Sequence, residues 1–491
     1  MLFNSYVFIF AFLPLALAAV ILAHRVSRQA VIGVLVVASL VFYGWFVPGY
    51  IVLVLASATF NYGAGVLIER HSGERLYVAF AVAANLVLLG FYKYLDFAIG
   101  TANALLATNW TFVNIVLPLG VSFFTFTQIA YLVDLHRGQA KTGSYSEYLL
   151  FVTFFPHLVA GPIIHHANII PQFRDKAFGV ITAAAVTEGL TWFAIGMVKK
   201  TLIADNLAPI VDKAFGIAAS GGHPSFFEAW FGVLGFAFQI YFDFSGYCDM
   251  AIGLGIMFGV RFPLNFNAPY RATSIIEFWR HWHMTLSQFL KEYLYIPLGG
   301  NRNGSFRRYL NLMITMLLGG LWHGAAWTFV IWGGLHGIFL AINHAWQRTG
   351  IVLPRAVGWA ITIVAVCFAW VFFRADGTGT AFRMTAGLVG QNGIFLAKEH
   401  ASLLGPAAHV LSSLGVVFEG LPLVRLTWFP MFGLLVLFVL LAPTTQSLMG
   451  WEASARLRWK LNPVWSAVAG VTLAVAVVGI GQTSTFIYFQ F

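Results

Sequence analysis

Residues 51–68 of the chain read IVLVLASATFNYGAGVLI, eighteen positions without one charged side chain. A helix needs about 20 mostly apolar residues to cross the roughly 30 Å of hydrocarbon in a bilayer. Only 9% of the 491 residues are charged, which excludes a soluble domain, because soluble domains carry charge on roughly a quarter of their residues. The sequence therefore predicts an all-α polytopic membrane protein with roughly ten to thirteen membrane segments. Further apolar runs occupy Tyr6–Ala23, Ala30–Phe46, Leu76–Tyr92, Phe227–Phe242, Gly358–Phe373, Met431–Ala442 and Val464–Ile480.

Basic residues are concentrated in alternate connections between the first runs, within a formal net charge of +10. The turn around Pro48 contains no basic residue. The basic residues in the connections after the first, third and fifth runs are Arg25, Arg28, Arg70, Arg75, Arg137 and Lys141. Basic connections are typically cytoplasmic, which places the amino terminus on the outer face of the membrane. Nucleic acid is not an expected partner, because no basic stripe with exposed aromatic residues is present.

No repeat or low-complexity tract divides the chain. We therefore expect one membrane domain over residues 1–491, with core motifs in 147–345 and late spans in 355–491. Cys248 and Cys367 have no partner at metal-ligand or redox spacing, so neither a disulfide framework nor a metal site is expected.

A broken helix is expected between residues 147 and 174, where Pro156, Gly161 and Pro162 interrupt an apolar stretch. Irregular backbone at membrane depth is tolerated only where protein shields it or where it lines a wet cavity. This segment is therefore predicted to be re-entrant and to border an internal chamber.

Residues 265–344 hold an unusual concentration of polar side chains for a membrane protein, and His323 lies among them in the run LGGLWHGAA (318–326). An ionisable group inside a membrane is costly and marks a functional site by default. The neighbouring glycines would let another backbone, or a ligand, approach the imidazole. A hydrogen-bonded histidine that only ties two helices together is the alternative interpretation.

His283 lies 40 positions upstream in the run EFWRHWHMTLS (277–287), which we expect to form one helix. On a continuous helix His283 would share an apolar face with Trp279, which favours a role in the site. Arg280 would lie on a different face, where an interfacial anchor is the simpler interpretation.

Two carboxylates, Asp243 and Asp249, are weaker candidates for an acid and base pair. They would lie about 240° apart on an ideal helix. We expect them to make structural hydrogen bonds at a helix broken around Ser245 and Gly246.

The turn GGNRNGSFRR (299–308) carries three arginines immediately before an apolar segment. It could be a cytoplasmic anchor under the positive-inside rule. It could also contact the phosphates of an anionic donor, because guanidinium forks suit phosphate oxygens.

Six motifs are spread along the chain: FFPHLVAGPI (154–163), DFSGY (243–247), NFNAPY (265–270), EFWRHWH (277–283), YLYIPLGGNR (293–302) and LGGLWHG (318–324). In sequence and in order they resemble the motifs of the membrane-bound O-acyltransferases (MBOAT), specifically the bacterial alginate O-acetylation type. The closing residues FIYFQF (486–491) look similar too.

The resemblance implies a multi-helix bundle with broken helices around a central passage. The family's catalytic histidine falls on His323, and its second polar position falls on His283. It also implies a location in the bacterial inner membrane, where an amino terminus on the outer face is periplasmic. The implied activity is acetyl transfer to an extracytoplasmic polysaccharide, with an SGNH-esterase-like periplasmic partner. The residues expected to bind donor or substrate are Trp322, Arg302, Asn265, Tyr270 and Arg280.

The expected activity is thus transfer of acetyl groups from a cytoplasmic donor, acetyl-CoA, toward polysaccharide hydroxyls, directly or through the partner. Acetyl-CoA would be a co-substrate, with no bound cofactor. A histidine near neutral pH can take the proton of a hydroxyl that attacks a thioester. Acylation of teichoic acid, lipid or protein is the alternative, and a transporter is a further one, disfavoured because no inverted repeat is visible.

Overall fold

The computed structural model describes residues 1–418, 424–452, 457–481 and 486–487. Regular structure in these residues is almost entirely α-helical, as expected. Two short strands, β1 (Ile394–Leu396) and β2 (Val416–Phe418), pair in parallel. The last four residues of the closing motif FIYFQF lie outside the described residues.

The helices follow one another closely along the chain. Those of the first half are α1 Leu13–His24, α2 Arg28–Gly44, α3 Tyr50–Arg70, α4 Arg75–Leu89, α5 Leu95–Leu106, α6 Val121–His136, α7 Tyr145–Thr153, α8 Phe155–Leu158, α9 His166–Phe173, α10 Ala183–Val198 and α11 Asp205–Ala219. Those that follow are α12 Phe226–Met257, α13 Ile275–His281, α14 Met284–Leu290, α15 Gly304–His323, α16 Trp327–Gln347, α17 Arg355–Arg374, α18 Thr378–Leu388, α19 Lys398–Leu404, α20 Pro406–Ser413, α21 Trp428–Leu441, α22 Thr445–Leu448 and α23 Pro463–Val478. Short π-helical segments are Phe8–Phe12, Gly90–Tyr94, Lys199–Ala204 and Lys291–Tyr295, and Pro269–Arg271 is a 3₁₀ turn.

Several described helices are apolar enough to lie in a bilayer. Four segments have the length and composition to cross it, namely Tyr50–Arg70, Arg75–Leu106, Trp327–Gln347 and Arg355–Arg374. Four shorter apolar helices are Phe8–His24, Arg28–Gly44, Trp428–Leu441 and Pro463–Val478. The apolar runs of the sequence thus form helices, whereas the total of ten to thirteen spans stays a prediction.

The chain forms two compact units, each assembled from separate stretches. The first unit comprises Met1–Leu202, Phe244–Asn265 and Thr445–Phe491, and the second comprises Ile203–Asp243 and Phe266–Thr444. The expectation of one domain over residues 1–491 stays a prediction.

Buried amides tie the helices of the first unit together. Asn61 on α3 and Asn85 on α4 exchange hydrogen bonds, with Nδ2 to Oδ1 distances of 3.1 and 2.6 Å. Gln128 on α6 donates to Ser57 on α3 at 3.0 Å and accepts from the Tyr148 hydroxyl at 3.3 Å. Polar groups between membrane helices need such partners because lipid offers none.

The segment from Glu147 to Arg174 is broken, as predicted. Its helices α7, α8 and α9 are short, with Pro156 in the first turn of α8 and extended or irregular backbone before α9. The buried His157 ring contacts the Phe151 carbonyl oxygen through Nε2 at 3.0 Å. Whether this segment borders a chamber stays a prediction.

The first carboxylate of this segment, Glu147, has a charged partner. Ser144 and Glu147 form a capping box at the start of α7, and Arg174 donates to both oxygens of Glu147, at 3.1 and 2.8 Å. The hydrogen bond and charge of Arg174 hold the pKa of Glu147 below its ordinary value, although burial acts in the opposite direction.

The stability contributed by Glu147 should depend on pH. A carboxyl with a lowered folded-state pKa contributes fully above the unfolded value, roughly 4.3, and its contribution disappears as pH falls through the folded value. We expect Glu147→Gln to lower the unfolding temperature by a constant amount between pH 8 and 6, and by less at acid pH. Thermal unfolding in detergent measures this, with Glu74→Gln as a control carboxylate that pairs with no described residue. A difference that persists unchanged at the lowest pH would contradict it.

The long helix α12 corrects the expectation of a break at Ser245 and Gly246, because it is continuous from Phe226 to Met257. Gly246 instead allows a close helix contact: a Cβ there would lie 2.7 Å from the Gly196 carbonyl oxygen of α10. Asp249, in the first unit, accepts from Lys199 Nζ at 2.6 Å and from the Thr445 hydroxyl at 2.7 Å. Its structural hydrogen bonding is therefore present, without the kink.

Candidate active site

His323 is the last residue of α15, in the second unit. A Cβ at Gly320 would lie 3.1 Å from the backbone of Gly333 and would overlap the Phe329 carbonyl oxygen. A Cβ at Gly333 would overlap the Met316 carbonyl oxygen. Gly320 and Gly333 therefore let the backbones of α15 and α16 approach each other closely. This backbone contact fixes the end of α15 and with it the histidine.

An aromatic wall surrounds the His323 ring, which is only 4% exposed. Trp332 of α16 packs edge-on against it, with ring centroids 5.1 Å apart at 89°. Phe373 of α17 and the adjacent Trp322 lie 5.3 and 5.0 Å away. The imidazole is thus held in a largely apolar environment, where electrostatic interactions are stronger than in water.

His283 reaches this site by a route that the sequence did not predict. The expected single helix over 277–287 is wrong: α13 ends at His281 and α14 begins at Met284. His283 lies between them in the left-handed region, at φ 43°. That conformation costs a residue with a Cβ roughly 1–2 kcal/mol, and the surrounding packing must stabilise it.

The break brings the two predicted histidines together. The rings of His283 and His323 have centroids 6.2 Å apart, and Trp322 lies 6.3 Å from His283. His283 is fully buried. Trp282, beside it in the break, stacks on Phe278 at 5.6 Å and so anchors the turn.

A third buried histidine, His336 on α16, stands behind Trp332. The ring centroids of the two are 4.9 Å apart, and Trp279 Nε1 donates to His336 Nδ1 at 3.2 Å. Because Nδ1 accepts, a neutral His336 carries its proton on Nε2, which has no hydrogen-bond partner among the described residues. The sequence placed His336 in the polar region without giving it a role.

The remaining predicted residues lie in different surroundings. The Tyr270 hydroxyl donates to the Ala237 carbonyl oxygen at 2.6 Å, and its ring lies 6.0 Å from Trp282. Arg280 and Arg302 are exposed in the second unit. Asn265 belongs to the first unit, where its amide donates to Cys248 Sγ at 3.4 Å. Within the described ranges, no group of three or more His, Cys, Asp or Glu side chains could hold a metal.

The segment that carries both histidines matches a known family. Residues 135–379 match the family model of MBOAT, the membrane-bound O-acyltransferase family. A peptidoglycan O-acetyltransferase of Helicobacter pylori is 37% identical, over 100% of this chain and 98% of the relative. The chain therefore belongs to the membrane-bound O-acyltransferase family: it is a multi-pass membrane protein and an O-acyltransferase.

Relatives of the alginate type are also similar, as the motifs indicated. The probable alginate O-acetylase AlgI of Azotobacter vinelandii is 42% identical over 79% of this chain and 78% of its own length. A teichoic acid D-alanyltransferase of Streptococcus thermophilus is more distant, at 27% identity over 47% of this chain and 57% of the relative. The resemblance to the alginate O-acetylation type is thus confirmed.

Proposed function

We propose that this O-acyltransferase moves acetyl groups from cytoplasmic acetyl-CoA toward hydroxyls of an extracytoplasmic polysaccharide. The observation that carries the proposal is the pairing of His323 and His283, 6.2 Å apart within one aromatic enclosure. The names of the peptidoglycan and alginate relatives support acetyl as the group and a polysaccharide as the acceptor.

In this proposal His323 is the general base. It takes the proton of the acceptor hydroxyl as the oxygen attacks the thioester carbonyl, and the carbon–sulfur bond then breaks. The proton returns from His323 to the leaving thiolate, so that an ester and a free thiol are the products. His283 would stabilise the oxyanion or hold the acyl donor. A hydrogen-bond donor that is fixed in a water-poor site stabilises developing negative charge effectively.

The other predicted residues have proposed binding roles. Trp322, next to both histidines, would pack against the acyl group. Arg302 and Arg280, exposed and basic, would contact donor phosphates. Tyr270 and Asn265 would contribute to substrate binding, although their described hydrogen bonds are to protein groups.

The route beyond the membrane is part of the proposal. With basic connections in the cytoplasm and a periplasmic amino terminus in a bacterial inner membrane, the donor would arrive from inside and the acetyl group would leave toward the outside through a central passage. Transfer would be direct or through an SGNH-esterase-like periplasmic partner. Acylation of teichoic acid is a second candidate, supported by the D-alanyltransferase relative.

Two measurements test this function together. Purified full-length protein in liposomes is supplied with acetyl-CoA, a long-chain acyl-CoA or a D-alanyl thioester, and release of free thiol is measured with host cell-wall material as acceptor. Mass spectrometry then locates the transferred group. We expect acetyl-CoA to be consumed fastest and acetyl esters to accumulate on polysaccharide, either with the purified protein alone or once a periplasmic extract of the host supplies the partner. Thiol release from another donor alone, or label confined to lipid or protein, would contradict the proposal.

A further inference from the structure

Two arginines of the second unit converge on one tyrosine at the beginning of α15. The Arg308 guanidinium lies 4.9 Å from the centroid of the Tyr309 ring, and its Nη2 donates to the Tyr309 hydroxyl at 3.1 Å. Arg348 directly follows α16. Its guanidinium lies 5.8 Å from the centroid of the same ring and donates to the Ser305 hydroxyl at 2.7 Å. Side chains from two helices thus build one basic cluster.

The charge of this cluster is not neutralised by protein. No carboxylate in the described part of the chain forms an ion pair with Arg308 or Arg348. Like charges held close together repel one another unless an anion lies between them.

The N-terminus of α15 also favours a bound anion. The first turn of α15 contains no acidic residue, and its N-cap, Asn303, makes no side-chain capping bond. A helix N-terminus carries a partial positive charge, so arginines there are unfavourable unless an anion is bound. Arg308 Nε is buried and has no hydrogen-bond partner among the described residues, which leaves a strong donor available.

We propose that Arg308, Arg348 and Ser305 form a binding site for a phosphate ester at the start of α15. Two guanidinium forks, a hydroxyl and the helix N-terminus provide several donors, as the oxygens of a phosphate require. The ligand is the phosphate of a nucleotide-linked molecule or that of an anionic phospholipid. Phe306, next to Ser305 in the chain, is 80% exposed and would suit a ligand with acyl chains. With a nucleotide-linked ligand the site adds to the donor-phosphate contacts of Arg302 and Arg280 and rests on the proposed function, whereas with a phospholipid ligand it does not.

The test uses the full-length chain with two phosphate probes. Binding of adenosine 3′,5′-bisphosphate is measured in nanodiscs of neutral lipid, and binding of phosphatidylglycerol is measured by native mass spectrometry. We expect the double variant Arg308→Gln/Arg348→Gln to bind one of the probes at least about tenfold more weakly, as for lost charge-assisted hydrogen bonds. Weaker nucleotide binding identifies a soluble ligand, and weaker lipid binding identifies a bilayer ligand.

The matched control is Arg307→Gln, which removes the same charge from the position of α15 just before Arg308. Arg307 forms no contact with another described side chain. It should change the affinity for either probe less than about twofold. Arg348→Lys, which keeps the charge but loses the fork, provides a mild variant should the double variant unfold, and should weaken binding several-fold. Unchanged binding of both probes in these variants, or an equal loss in the control, would overturn the proposal.

Discussion

Replacing His323 by alanine should lower the rate of acyl transfer by about 10²- to 10⁴-fold, the range typical of a lost general base. The imidazole is enclosed by Trp322, Trp332 and Phe373, at ring distances of 5.0 to 5.3 Å. Because these are apolar surfaces, no nearby side chain of the wall could replace the base. The binding of the donor should change far less than the turnover.

The measurement is ester formation by purified protein in liposomes, with the unfolding temperature recorded as a check on folding. His283→Ala should also lower turnover, but less, because a second residue that orients or stabilises can be partly replaced by water. His281→Ala is the matched control, because His281 lies two positions before His283 and outside the aromatic enclosure. This variant should retain activity. A folded, membrane-inserted His323→Ala protein with undiminished transfer would rule out the proposed base.

Gly333→Val should strongly destabilise the second unit and should remove activity with it. A Cβ at Gly333 would overlap the Met316 carbonyl oxygen and lie 3.2 Å from Gly320 Cα. Both obstacles are backbone, so α15 and α16 must separate. Overpacking of this kind costs typically about 1–3 kcal/mol, and separation would also move His323.

Gly334→Ala is the matched control for this change. The nearest atom to a Cβ there is Leu317 Cδ2, at 3.4 Å, which is an ordinary contact with a mobile side chain. Thermal unfolding in detergent and the liposome assay should therefore separate the two variants, with the alanine close to the unmodified protein. Equal unfolding temperatures for both would show that the helices do not depend on this contact.

Hydropathy and motifs predicted the class of fold well, because the 3.6-residue helix and the thickness of the bilayer leave few alternatives to an apolar chain. Pro156 and Pro162 correctly indicated a broken segment, since proline removes a backbone donor. Family membership followed from the combination of motifs. These predictions depend on local chemistry, which a sequence displays directly.

The geometry of the site was harder to predict from the sequence than the class of fold. The break at His283 has no glycine or proline to announce it, and a histidine in the left-handed region is held there by packing from Trp282 and Phe278. Gly246 was misinterpreted for the converse reason, because a glycine inside a helix can serve close packing as well as bending. The hydrogen bond from Trp279 to His336 joins residues 57 positions apart, and no periodic pattern encodes it.

The reciprocal amide pair of Asn61 and Asn85 has a consequence for biogenesis. Each asparagine would be costly in lipid alone, whereas paired they satisfy one another at 3.1 and 2.6 Å. The two helices are joined by a connection of only four residues, from His71 to Glu74. We therefore expect the two helices to enter the bilayer together, as a preassembled hairpin.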